Sequence, residues 1–202
     1  MPKETTSNKV WMSEEEIDLI EKHIEPHFTM LEYGCGGSTL HFPPLVKNYC
    51  SVESDKEWAD KTVEQAPQNV SMILSRPKAT EDVIKVCERE MKEREDYSWD
   101  TLFDTSFYQI FEQYINGYKH FNLEDRPNSA RFDAVLIDGR ARQHCARAVY
   151  DVIDENAVVF IHDFFPNDPV SGRSRAHKPI LEKYKIIDEV KTGQTIVALK
   201  KK

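Results

Sequence analysis

The sequence predicts a doubly wound α/β fold, a mostly parallel sheet covered by helices on both faces and finished by an antiparallel C-terminal hairpin. Three observations predict it. Short runs that are apolar on both faces alternate with helical stretches, the pattern of parallel strands buried on two sides. The first such run is followed at once by LEYGCGGSTL, which gathers three of the chain's seven glycines, Gly34, Gly36 and Gly37. The last two runs, YKIIDEV and QTIVALK, are separated only by Lys191, Thr192 and Gly193, as suits an antiparallel hairpin on a sheet edge.

The elements follow in order. SEEEIDLIEKHIEP opens with a capping box, Ser13 and Glu16, and sets Ile17, Ile20 and Ile24 on one face, which predicts a helix over 13–25 ended by Pro26. FTMLEY reads as the first strand, GGSTLHFPPLV as a turn and short helix, and NYCSVES as the second strand. Ser54 and Glu57 form a second capping box ahead of the helix SDKEWADKTVEQ, and NVSMILS is the third strand. The alternation is then interrupted over about 76–131, far longer than the roughly 2–6 residues of a usual βα connection, so this insertion must hold structure of its own. Within it, EDVIKVCEREMKERED predicts a charged, solvated helix. SFYQIFEQYINGYKHF carries Phe107, Ile110, Phe111, Tyr114 and Ile115 at helical spacing, a face for the core rather than a substrate platform. LEDRPNSAR reads as a mobile loop. FDAVLID, the helix RARQHCARAVYDVI with Cys145, Ala148, Val149 and Val152 on one face, and the strand AVVFIHD resume the pattern. There are no internal repeats or low-complexity segments.

A chain of 202 residues suits one domain, 1–202, with a sizeable core. The N-terminus lacks the apolar region of a signal peptide and no run approaches the roughly 20 apolar residues of a membrane span, so a cytoplasmic protein is expected, without membrane partners. Cys35, Cys50, Cys87 and Cys145 are scattered, without a CxxC pair or zinc-ligand spacing, as expected of reduced thiols. A net charge of −8 argues against broad attraction to nucleic acid.

The glycine stretch carries the chemistry. Strand, glycine turn and helix start place bare backbone N–H groups beside whatever binds there. A nicotinamide fingerprint GxGxxG would need glycine where Thr39 stands. Instead Glu32-Tyr33-Gly34-Cys35-Gly36 resembles the E/D-x-G-x-G motif of class I S-adenosylmethionine-dependent methyltransferases, and the resemblance extends to Glu53, where that family binds the ribose hydroxyls. It implies a seven-stranded Rossmann-like sheet over nearly the whole chain from Leu31, with S-adenosylmethionine held by Glu32, Gly34, Cys35, Gly36, Gly37, Ser38, Thr39, Glu53 and Asp138. Ser38 departs from the many members with a third glycine. DGR after the fourth strand and IHD after the fifth are similar to glucuronoxylan-type O-methyltransferase relatives, which implies O-methylation of a sugar-like or small hydroxylated acceptor.

Asp138, His162 and Asp163 end adjacent predicted strands, the place where ligands bind in such sheets. A hydroxyl acceptor must lose a proton, so His162 is the candidate base and Asp163 its orienter, although neighbours on a strand point to opposite faces. Metal-dependent catechol-type O-methyltransferases offer an alternative: Asp138 and Asp163 match their acids, but Phe164 stands where their asparagine would be, and a divalent cation is not favoured. Arg140, Arg142, Arg173, Arg175 and Lys178 fall in loops at the same end of the sheet and suggest an anionic acceptor. His144 and Arg147, farther along the helix, are expected to face solvent. The sequence therefore predicts an S-adenosylmethionine-dependent O-methyltransferase; a nicotinamide-dependent oxidoreductase and a non-catalytic adenosyl-binding module are the rival readings.

Overall fold

A computed structural model of the chain describes residues 10–93, 97–123, 131–165, 177–192 and 194–202. Seven strands form one sheet in the order β3-β2-β1-β4-β5-β7-β6. They are β1 (Thr29–Tyr33), β2 (Asn48–Glu53), β3 (Val70–Leu74), β4 (Phe132–Ile137), β5 (Ile153–His162), β6 (Tyr184–Thr192) and β7 (Gln194–Lys201). The first five pair in parallel, and β7 slots antiparallel between β5 and β6. The hairpin expected at the C-terminus is present at the edge, its strands paired as far as Thr192 with Gln194.

Alternation along the strands divides the core in two. Leu31 and Tyr33 of β1, Val135 and Ile137 of β4, and Val159 and Ile161 of β5 face one layer of helices. That layer is built from α4 (Glu81–Glu93), α5 (Ser106–Ile115) and α6 (Arg142–Val149). Met30, Leu136 and Phe160 face the other way, onto Leu19 and Ile20 of α1 (Glu14–Lys22) and onto Phe42, which follows the short α2 (Ser38–His41). Among the described residues the remaining α-helices are α3 (Lys56–Val63) and α7 (Ile180–Lys183). Each fully buried Phe or Ile of these layers contributes roughly 1.5–3 kcal/mol over an exposed one.

Both insertion helices form. In α5, Phe107, Phe111, Tyr114 and Ile115 are buried, as their spacing predicts, and Thr105 caps the helix by accepting from Tyr108 N. α4 is largely solvated, as its charge predicts, but Ile84 and Cys87 are buried against α5's layer, because a helix that crosses a hydrophobic layer presents one narrow stripe to it. The predicted loop at 123–131 lies mostly outside the described residues. Ser13 and Glu16 make the expected capping box on α1, but the helix stops at Lys22 with His23 as its C-cap, and its buried residues include Glu16. Before α3 the cap is Asp55, accepting from Glu57 N and Trp58 N, rather than Ser54, whose own N–H and hydroxyl are directed to Glu53. His144 corrects another expectation. It is fully buried among the rings of Phe107 and Tyr108, its Nε2 within hydrogen-bond reach of Tyr97 and Thr105, and burial lowers its pKa to about 3. Arg147, half-buried, lies over the rings of Trp99 and Phe103. Among the described residues, no helix is long and apolar enough to cross a membrane.

Candidate functional site

The parallel strands all end at one edge, and the turns there build the site. Gly34 leaves β1 at φ +93°, a conformation side chains resist, and its N–H donates to Val52 O at 2.9 Å. The turn presses on the start of the loop after β4. A Cβ on Gly34 would lie 2.7 Å from the Cα of Gly139. Above Gly36 the opposite holds: a Cβ there meets nothing within 4 Å, so the backbone borders open space. Gly37 follows as the residue preceding α2.

Glu32 sits beneath this turn, fully buried. It accepts from the hydroxyls of Ser38, of Thr39 at 2.6 Å and of Ser51 at 2.9 Å. Burial raises its pKa to about 7 against the opposing pull of those hydroxyls. Thr39 Oγ1 in turn accepts from Gly36 N at 3.0 Å. Ser38 thus has a physical reason to replace glycine, since its hydroxyl serves a buried carboxyl. Glu32 shapes the turn from behind.

Glu53 closes the other side. At the end of β2 its Oε2 accepts from Cys35 N at 2.7 Å, and its Oε1 accepts from Ser54 N at 2.6 Å and Asp55 N at 2.7 Å. A carboxylate offers about four acceptor sites, so Oε2 retains one. The half-buried Cys35 thiol donates to Thr62 Oγ1 at 3.4 Å; burial pushes its pKa well up, which makes it a poor nucleophile.

The ends of β4 and β5 bring Asp138, His162 and Asp163 together, but not as the sequence suggests. His162 and Asp163 point apart. The partner of His162 Nδ1 is Asp138 Oδ1 at 2.8 Å, not the adjacent Asp163. Asp163, at φ +55°, turns instead to Arg142 Nη1 at 3.0 Å. The His162 side chain is only 4% exposed, against 26% for Asp138, so Asp138 is the member of the pair that reaches the surface of the site. On the other side of the imidazole, Glu16 Oε1 of α1 lies 3.6 Å from Nε2. Burial pulls the His162 pKa down, yet the hydrogen bond to Asp138 and the charges of Asp138, Asp163 and Glu16 together carry it above the ordinary value.

Arg142 fills the gap between the acids. Its guanidinium contacts Asp138 Oδ1 at 3.4 Å, Asp163 Oδ2 at 3.0 Å and Gly139 O at 3.1 Å. The two carboxylates proposed for a divalent ion already share an arginine, and a cation there would have to displace it. They do not fit a metal centre. Arg140 turns away to Glu81 and Glu88 of α4, at 3.3 and 3.1 Å. Neither arginine is therefore free to grip an acceptor. Lys178 is exposed, and Arg173 and Arg175 lie outside the described residues. Sequence reasoning missed Gly139, whose role needs the facing turn, and Glu16, whose only local signal was the capping box.

No protein-family model matches the chain, and no curated protein matches it. Solved structures do. A methyltransferase-like protein from Silicibacter pomeroyi superposes with a TM-score of 0.59 at 18% identity, covering 96% of this chain and 88% of that one. The chain has the methyltransferase fold. The ribosomal protein L11 methylase of Lactobacillus delbrueckii subsp. bulgaricus matches at TM-score 0.56 and 10% identity, over 95% of this chain and 81% of its own. The N-methyltransferase NodS of Bradyrhizobium japonicum, in complex with S-adenosylhomocysteine, matches at 0.54 and 8%, over 93% and 86%. At these identities the likeness is one of fold, and these methyltransferases differ in what they methylate.

Proposed function

We propose that the protein transfers a methyl group from S-adenosylmethionine to an oxygen of a small, sugar-like acceptor. The observation that carries this reading is the open space over Gly36, framed by Glu53 at the end of β2 and by Asp138 at the end of β4. Such a cradle admits a ligand against bare backbone at the carboxyl edge of a parallel sheet. The donor, when bound, supplies a methyl group on a positively charged sulfur. Glu53 Oε2 would accept from its ribose and Gly34, Cys35, Gly36 and Gly37 would line the approach, while Glu32, Ser38 and Thr39 hold the turn in shape. With the donor bound, methyl transfer would place the new carbon–oxygen bond on the acceptor, leave the electron pair of the broken carbon–sulfur bond on sulfur, and require the chain to take the acceptor's proton. The acceptor hydroxyl grows acidic as it is alkylated, so a carboxylate suffices to take its proton, and Asp138 is placed for that. His162 and Arg142 fix the direction of Asp138. Arg140 and Arg142, held by acids of the chain, are not offered to an anionic acceptor.

Calorimetry with S-adenosylmethionine, S-adenosylhomocysteine and NAD in parallel tests the donor, and release of S-adenosylhomocysteine over a panel of uronates and hydroxylated acids tests the acceptor. Both adenosyl compounds are expected to bind and NAD to be silent. Glu53→Ala should weaken donor binding by roughly 1.5–3 kcal/mol, as for a bond to a charged group. NAD binding in place of the donor would turn the reading toward an oxidoreductase. Donor binding without turnover on any of these acceptors would leave an adenosyl-binding module.

A further inference from the structure

We propose that Glu16 is a positioning residue of this site: from the N-terminal helix it braces the imidazole of His162 against Asp138, so that α1 sets the geometry of the group that receives the acceptor's proton. The inference rests on the function proposed above for the last clause, and on geometry alone for the first. Glu16 is 1% exposed and His162 is 3% exposed. Glu16 divides its carboxylate between two tasks. Its Oε2 accepts from Ser13 N at 2.8 Å and closes the capping box, while Oε1 is buried without a hydrogen-bond partner. His162 Nε2 is likewise buried and without one. The two unpartnered atoms face each other 3.6 Å apart.

Two buried polar atoms left unmatched would each carry a desolvation cost, and they are the only two on these side chains that can answer each other. The separation leaves no room for an intervening water, so the interaction is direct, a proton on Nε2 facing the Glu16 carboxylate. With Nδ1 donating to Asp138, His162 then has both ring nitrogens as donors, one to each flanking acid. The other charged groups around it are Asp163, just past the end of β5, and Arg142 of α6, which contacts Asp138 and Asp163. The β7 partner of His162 in the sheet is the apolar Ile196. A second pair of contacts ties α1 down at its far end, where Lys22 and His23 reach Asp188 of β6 at 2.8 and 3.1 Å. The helix is thus pinned at both ends, and its first turn is a rigid backing for His162.

The test separates the brace from the cap. Glu16→Gln keeps an acceptor for Ser13 N, since glutamine serves in capping boxes, but removes the charge facing Nε2. Ser13→Ala breaks the cap and leaves the carboxylate. The Hε1 resonance of His162 is followed by NMR as pH is raised in the unliganded protein. The expected result is that the midpoint drops toward the ordinary histidine value in Glu16→Gln and holds in Ser13→Ala, and that Glu16→Asp, which keeps the charge, restores part of it. An unchanged midpoint in folded Glu16→Gln, or an equal drop in Ser13→Ala, would overturn the brace. In turnover assays Glu16→Gln should lower kcat with the donor dissociation constant unchanged, and an unchanged kcat would overturn its part in positioning. A midpoint that drops as expected in a protein that binds no donor leaves the brace standing and removes the methyl-transfer reading.

Discussion

Gly34 and Gly139 meet backbone to backbone, and neither has room for a methyl group. A Cβ on Gly34 would lie 2.7 Å from Gly139 Cα; one on Gly139 would lie 3.0 Å from Gly34 Cα and would also land on the hydroxyl of Tyr114. The turn after β1 and the loop after β4 are held at the separation the cradle needs by the absence of two side chains. The first glycine of EYGCG and the glycine of DGR are parts of one contact.

Alanine at either position should therefore destabilise the fold by about 1–3 kcal/mol, a fall in Tm on the order of 2–12 °C for a chain of this size. The two should differ in rescue. Tyr114→Phe removes the hydroxyl that a Gly139 side chain would strike, so it should recover part of the Gly139→Ala loss and none of the Gly34→Ala loss, which comes from backbone contact and a positive φ. Thermal melts of the six proteins, wild type included, check this. Equal rescue of both would mean that the turns relax as a unit.

Glu32 makes stability depend on pH in a stated direction. Burial raises its folded pKa from 4.5 to about 7, so the folded protein holds this proton more tightly than the unfolded chain. The contribution is fully present below about 4.5 and is lost as pH rises through about 7. Glu32→Gln, which carries a permanently neutral side chain in the same place, should lack this loss. The Tm difference between wild type and Glu32→Gln should shift against wild type from pH 5 to pH 8. A difference constant across that range would show that Glu32 is ionised throughout.

Much of this was legible in the sequence because it rests on local patterns. Alternating strands and helices, the glycine turn and the Ser13 box depend on neighbours a few residues apart, and the structure carries them as read. Apart from the cap of α3, where Asp55 stands in for its neighbour Ser54, the failures are tertiary. His144 sits on a helix whose polar residues suggest solvent, but α5 and the segment at Tyr97 fold over it and bury it. Asp163 looked like the partner of His162 because it is adjacent in sequence, whereas β5 ends at His162 and the positive φ of Asp163 turns its side chain to Arg142 instead. Arg140 and Arg142 looked like free cations because sequence shows charge without showing which acids lie opposite, here Glu81, Glu88, Asp138 and Asp163.

The Arg142 bridge predicts how the site responds to metal. With a guanidinium between Asp138 and Asp163, added magnesium should leave the wild-type Tm unchanged and a chelator should leave activity intact. Arg142→Met removes the charge while keeping much of the side-chain length, and leaves two carboxylates without their shared cation. That variant should be destabilised, and magnesium should restore part of its Tm, because the acids then offer oxygen ligands to a hard ion. Loss of wild-type activity on chelation would refute the bridge as the neutralising group.

The pH dependence of turnover separates the two roles available to His162. As the base, with neutral imidazole taking the acceptor proton, it would make the rate rise with pH through its titration. Its Nε2, however, is buried against Glu16, and the surface of the site is reached by Asp138. A protonated His162 bracing Asp138 predicts the reverse, a rate that falls as pH rises past the raised folded value of His162. Stability should follow the same course. A histidine whose folded pKa lies above 6.5 contributes stability that is complete below 6.5 and lost as pH rises through the folded value, so the Tm advantage of wild type over His162→Gln should shrink in alkali. Asp138→Asn should cost about 10²–10⁴-fold in kcat with donor affinity preserved, the range for removing a positioned base. His162→Gln should cost less, because Arg142 still holds Asp138. A rate that climbs with pH, together with a larger loss in His162→Gln than in Asp138→Asn, would return the base to His162 and require α1 to move aside for the acceptor to reach it.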